Sequence, residues 1–289
     1  MSQGDGAYRE RTLTASDGLR LYFRDYGDPL APGTPLVCLG GLTRNSKDFH
    51  TLALRLAPGR RVICPDYRGR GRSEYDSDWR HYRARTTLGD VIHLLTATNL
   101  HRAVICGTSF GGLLAMALAV AAPTALAGVI LNDIGPEVNP DGMSRIFTYI
   151  GQDRPQPDWD GAIAEMKSMF PDMAFQTEDG WREFAEGTFR HDADGLLHFN
   201  WDIALAKAVA ADRDEGQDLW SMYRALARIP TLALRGAFSD VLSEETFARM
   251  ASEKPDLVSA TIPGVGHIPA LTEPESETAI DDFLSRIDG

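Results

Sequence analysis

Short, nearly continuous apolar runs recur along the first half of the chain, at Pro35–Leu39, Arg61–Cys64, Ala103–Cys106 and Gly128–Asn132. Continuous rather than alternating hydrophobicity is the pattern of a strand covered on both faces. Between these runs lie helical patterns at Lys47–Leu56, Thr87–Thr98 and Phe110–Ala121. Ahead of them Thr12–Ala15 and Leu19–Tyr26 predict a hairpin that turns at Asp17-Gly18. The alternation stops after Asp133. It resumes with a helix near Asp218–Ala227, a strand Thr231–Leu234, a helix Glu244–Glu253, a strand Ser259–Ile262 and a helix Glu275–Ile287. The pattern predicts an α/β fold, a mostly parallel eight-stranded sheet flanked by helices and joined by right-handed crossovers.

The interruption defines the domain organisation. Residues 1–136 and 216–289 make one core, and residues 137–215 make an insertion with helical patterns and no convincing strand. The insertion holds 17 Asp/Glu against 7 Lys/Arg, so it carries −10 of the formal −12 of the chain. It also holds Met143, Met166, Met169 and Met173, half of all methionines, and half of the phenylalanines. Such a segment packs its apolar face on the core with its charges in water. It also suits a cap, or lid, whose Met/Phe underside shapes an apolar pocket.

Composition narrows the function. The 289 residues, 43% hydrophobic and 24% charged, are those of an ordinary globular protein large enough for a sizeable core. A charge of −12 with scattered Lys and Arg excludes nucleic acid and anionic membranes as expected partners, since both need a basic face. No apolar run is long enough to span a bilayer, and the first residues lack the cationic start and apolar stretch of a signal peptide. Cys38, Cys64 and Cys106 all fall in strand-like runs, which suggests reduced, buried thiols, and no CxxC or His/Cys spacing points to a metal. A cytoplasmic protein without cofactor or metal is expected.

Gly107-Thr108-Ser109-Phe110-Gly111 follows the strand Ala103–Cys106 and opens an Ala/Leu-rich helix. A hydroxyl attacks well only if one group removes its proton and others stabilise the oxyanion that forms. Ser109 on a sharp strand-to-helix turn meets half of that need, because the helix N-terminus presents amide donors, among them the N–H of Phe110. The flanking glycines leave room for the turn.

This context resembles the α/β-hydrolase family, in its serine-nucleophile branch with a helical cap, over nearly the whole chain. The resemblance implies an acid after a later strand and a histidine after the last one. Asp240, in Arg235-Gly236-Ala237-Phe238-Ser239-Asp240, and His267, in Pro263-Gly264-Val265-Gly266-His267, fill those places. With Ser109 they form the expected catalytic triad. Asp133 is the rival acid, since some members of the fold place the acid after this earlier strand; otherwise it shapes the exit turn into the insertion with Gly135 and Pro136. The second oxyanion donor is expected at Leu42, in Leu39-Gly40-Gly41-Leu42-Thr43-Arg44, where family members usually have His-Gly. Arg44 beside it is a candidate substrate-binding residue, or else a loop anchor. Asp66-Tyr67-Arg68-Gly69-Arg70-Gly71-Arg72-Ser73 looks like the family's Asp-x-Arg-Gly-x-Gly-x-Ser loop and reads as scaffold, with no phosphate-binding lysine after it.

The expected activity is hydrolysis of a carboxylic ester or lactone on a small molecule with an apolar part. The runner-up is carbon–carbon cleavage of a dioxo acid, which a carboxylate contact at Arg44 would favour. From another class, a hydrolase-fold receptor would keep the pocket and lose turnover.

Overall fold

The computed structural model describes residues 7–170, 177–216 and 218–289; Met173 of the insertion lies outside them, as does the side chain of Met143. Strands β1 (Tyr8–Thr14), β2 (Arg20–Tyr26), β3 (Gly33–Leu39), β4 (Arg60–Pro65), β5 (Ala103–Thr108) and β6 (Leu126–Asn132) belong to the first core segment. The insertion carries a hairpin, β7 (Phe189–His191) and β8 (Leu197–Phe199), and the second core segment supplies β9 (Thr231–Gly236) and β10 (Val258–Ile262). Eight of these form one sheet in the order β1-β2-β4-β3-β5-β6-β9-β10. Only the β1–β2 and β2–β4 pairings are antiparallel. The register sets Thr108 of β5 opposite Asn132 of β6, and Asn132 opposite Leu234 of β9. The residues just beyond β5 and β6 therefore emerge side by side.

Helices α1 (His50–Leu56), α2 (Ala84–Ala97) and α3 (Phe110–Ala121) follow strands of the first segment. In the insertion lie α4 (Pro140–Tyr149), α5 (Trp159–Met169), α6 (Glu178–Thr188) and α7 (Leu205–Glu215). Then come α8 (Leu219–Arg224), α9 (Glu244–Glu253) and α10 (Pro274–Asp288). Every residue of β5, β6 and β9 is buried, which is why their sequences carry no polar alternation. Side chains of one parity, such as Val37, Ile105 and Leu131, pack against Leu94 of α2 and Leu114 of α3. The other parity, including Leu36, Cys38 and Val104, packs against Leu52 of α1 and Phe283 of α10. The three cysteines are free, buried thiols on this second face, and burial pushes the Cys38 thiol up.

The insertion builds a core of its own around Ile150, Met166, Trp181, Phe199 and Trp201. It is helical as expected, but the β7–β8 hairpin is an addition. Each strand is only three residues long, too short for a period-two pattern to register. Asp194-Gly195, with Gly195 at φ +86°, is the turn signal that marked it.

Candidate active site

Ser109 sits between β5 and α3 with φ 51° and ψ −115°, in the left-handed half of backbone space that L-residues avoid. The surrounding glycines make this possible. A Cβ on Gly107 would lie 2.4 Å from the carbonyl carbon of Gly111, and one on Gly111 would lie 2.0 Å from the Leu39 carbonyl oxygen. The turn therefore presses the start of α3 against the end of β3, and Ser109 is left standing at the carboxyl edge of the sheet.

His267, in the loop after β10, brings Nε2 within 3.2 Å of Ser109 Oγ. Its Nδ1 lies 2.7 Å from Oδ2 of Asp133. The structure thus corrects the assignment of Asp240. Asp133 follows β6 directly, fully buried and at φ 54°, a conformation Asp tolerates better than most residues. Its carboxylate accepts two further bonds, from the Gly236 N–H at 2.8 Å and from Ser239 Oγ at 2.6 Å. Asp240 lies four residues beyond the end of β9. The turn aims Ser239 inward, where its hydroxyl reaches Asp133, and leaves Asp240 facing outward against Arg145 of α4, with 3.0 Å between Oδ1 and Nη2. Asn132 adds a further tie, its Nδ2 donating to the Pro269 carbonyl in the histidine loop at 2.9 Å. Ser239 and Asn132 have no motif that announces them; only strand adjacency gives them their roles.

The loop after β3 faces Ser109. Leu42 lines the same cavity as Ser109 and His267, and Phe110 is the first residue of α3. The Asp66–Ser73 segment holds this loop in place. Tyr67 Oη donates to the Gly40 carbonyl at 3.1 Å and Arg70 Nε to the Leu42 carbonyl at 2.8 Å. Asp66 accepts from the Ser46 and Arg72 amides at 2.7 and 2.8 Å. Burial raises the Asp66 carboxyl above its ordinary range and lowers the fully buried Arg70 guanidinium to about 10. Arg68, buried beside them, grips Asp90 of α2 through two bonds of 2.7 and 2.8 Å.

Arg44 lines the cavity but is heavily engaged. Its Nε and Nη2 both reach Asp48, Nη1 reaches Thr188 Oγ1, and the guanidinium stands 4.2 Å above the Phe184 ring. The same stretch of loop binds the end of α6. Asn45 Nδ2 donates to the Gly187 carbonyl at 2.6 Å and Lys47 Nζ to the Glu186 carbonyl at 2.7 Å, satisfying carbonyls a helix C-terminus leaves open. The insertion closes over the cavity with Ile146, Tyr149, Phe170, Phe184 and Trp201. Of the expected Met/Phe underside, Phe170 and Phe184 line the cleft, whereas Met166 and Met169 are buried inside the insertion's own core. Including the solvent at its open mouth, the space between these side chains is about 620 Å³.

A serine on a strand-to-helix turn, an imidazole and a buried carboxylate, all at the carboxyl edge of a mostly parallel sheet, define an α/β-hydrolase site. The chain belongs to the alpha/beta hydrolase family, whose model matches residues 36–280, and it is a hydrolase. It is 33% identical over 277 residues to the 3-hydroxybutyrate-oligomer hydrolase of Cupriavidus necator, covering 92% of this chain and 93% of that protein. The 2-(acetamidomethylene)succinate hydrolase of Mesorhizobium japonicum is 25% identical over 254 residues, covering 87% of this chain and 88% of its own. Among solved structures, an alpha/beta hydrolase from Novosphingobium aromaticivorans superimposes with a TM-score of 0.91 at 42% identity, covering 97% of this chain and 99% of its own. No helix among the described residues is long and apolar enough to cross a membrane.

Proposed function

We propose that the protein cleaves a carboxylic ester of a small molecule through an acyl-enzyme, with Ser109 as nucleophile, His267 as base and Asp133 as the acid. The observation that carries this is the continuous chain of contacts from Ser109 Oγ to His267 Nε2 and from Nδ1 to Asp133 Oδ2. In the first step Oγ bonds to the ester carbon while its proton passes to Nε2. The carbonyl electrons move to oxygen, facing the N–H groups of Leu42 and Phe110. The carbon–oxygen bond to the alcohol then breaks, and the imidazolium returns the proton to the leaving oxygen. Water repeats the sequence on the acyl-enzyme, giving its proton to Nε2, and the acid leaves as Oγ is reprotonated. Asp133 stays ionised throughout, holding the Nδ1–H and the imidazolium that forms.

The relative that acts on 3-hydroxybutyrate oligomers supports short hydroxy-acid esters as the first substrates to assay. The test is a panel of these and of aryl esters against the wild type and Ser109→Ala. The variant is expected to fold and to lose at least about 10⁴-fold in kcat, together with labelling by a fluorophosphonate. A folded Ser109→Ala protein with unchanged turnover refutes the mechanism. Wild-type protein that is labelled but turns over no ester leaves the carbon–carbon reading in its place.

A further inference from the structure

We propose that Arg145 receives a carboxylate carried by the substrate, displacing Asp240 as it does so; this rests on ester cleavage at Ser109. Two arginines, Arg44 and Arg145, line the cleft, and no Asp or Glu is among its described lining residues. Each is paired with an aspartate that stands behind the lining, Arg44 with Asp48 and Arg145 with Asp240. The two cations differ in what they have left to give. The side-on fork of Arg44, Nε with Nη2, is filled by both oxygens of Asp48, and Nη1 is taken by Thr188. Arg44 is a strut between the loop after β3 and α6.

The same fork of Arg145 is half filled. Nη2 meets a single oxygen of Asp240 at 3.0 Å, while Nε is shut off from water without a hydrogen-bond partner. A buried donor left unmade is unfavourable, and a planar carboxylate bound through two parallel N–H bonds is the ligand that satisfies it. Asp240 is poorly placed to compete, since its side chain is 43% exposed and returns to water at little cost. The guanidinium also stands 5.7 Å from the centre of the Phe170 ring, so the aromatic wall helps hold it at the cavity. The arrangement selects esters with one free carboxylate. It leaves the acidic insertion as a whole unfavourable to polyanions.

The experiment compares 3-acetoxybutyrate with its neutral primary amide, following acetate release by wild type, Arg145→Gln and Asp240→Asn. The wild type is expected to have the lower KM for the acid. Arg145→Gln should raise KM for the acid at least tenfold more than for the amide, with the kcat ratio held within about threefold. Asp240→Asn, which removes the competing negative charge, should lower KM for the acid at least threefold relative to the amide, and it serves if Arg145→Gln does not fold. Equal effects on acid and amide in these variants overturn the carboxylate site and leave the ester reading standing. A wild type that cleaves aryl esters but neither compound overturns the carboxylate site, and one that cleaves no ester at all overturns the ester reading itself.

Discussion

On the Asp133 carboxylate three donors converge: the His267 ring, the Gly236 amide and the Ser239 hydroxyl. A group so held, without exposure to water, keeps the imidazole in one tautomer and one orientation. Asp133→Asn is therefore expected to lower kcat by about 10⁴ on a neutral aryl ester, with KM within a few-fold. Asp240→Asn should cost less than about tenfold on the same substrate. Steady-state kinetics on the two variants decides between them, and the reverse ranking would return the acid to Asp240. Ser109 and His267 are legible in the sequence because glycines on each side of the first, and a strand just before the second, restrict where they can sit. Asp133 and Asp240 are not separable that way. Both follow strands, and what divides them is whether the carboxylate leaves the strand directly or four residues later, beyond a turn that aims Ser239 at Asp133 and leaves Asp240 facing outward.

The turn into α3 is an element whose geometry is set by absent atoms. Gly111→Ala puts a Cβ 2.0 Å from the Leu39 carbonyl oxygen, a backbone atom that moves only with the end of β3. Overpacking of this kind costs about 1–3 kcal/mol, and a melting temperature lower by roughly 5 °C or more, with activity lost, is expected. Gly89 of α2 is the matched control, since a Cβ there meets nothing within 4 Å. Gly89→Ala should melt at or above the wild-type temperature, because alanine is the better helix former. A Gly111→Ala protein that melts with the wild type and keeps its activity would show that the turn has slack. Helix and strand positions in the core were legible because burial on both faces imposes long apolar runs. The β7–β8 hairpin was not, since its three-residue strands derive their stability from Phe189, Phe199 and Trp201 packing inside the insertion.

Across the whole molecule the contacts between the insertion and the core include the α6 C-terminus on the Arg44–Lys47 loop and the Asn200–Asp202 stretch on Gly69–Gly71. In the second, the Gly71 amide donates to the Asn200 carbonyl at 2.9 Å and the Asp202 amide to the Gly69 carbonyl at 2.8 Å. The first of these loops lines the cleft beside Ser109, and the second braces it through the Arg70 bond to the Leu42 carbonyl. With Tyr149, Phe170 and Phe184 forming its roof, an acyl chain that lengthens should meet apolar surface before it meets water. Each methylene buried there is worth about 0.8 kcal/mol, close to fourfold in kcat/KM. A p-nitrophenyl series should therefore rise from acetyl through butyryl, and a flat or falling profile would sink the apolar roof. The composition of residues 137–215 pointed to such a cover, but not to which apolar side chains face the substrate. Methionine and phenylalanine serve an internal core and a pocket wall equally well, and the choice is made only by tertiary packing.

Asp133 lies near the end of the first core segment, yet Gly236, Ser239 and His267, the groups that hold it, all belong to the second. A cut anywhere between residues 137 and 215 would leave one fragment with the nucleophile and the carboxylate, and the other with the imidazole and the donors that fix that carboxylate in place. Neither half contains a working set. Turnover in a severed chain becomes a signal that β6 and β9 have found each other, and the protein carries in its own topology the parts of a two-piece reporter.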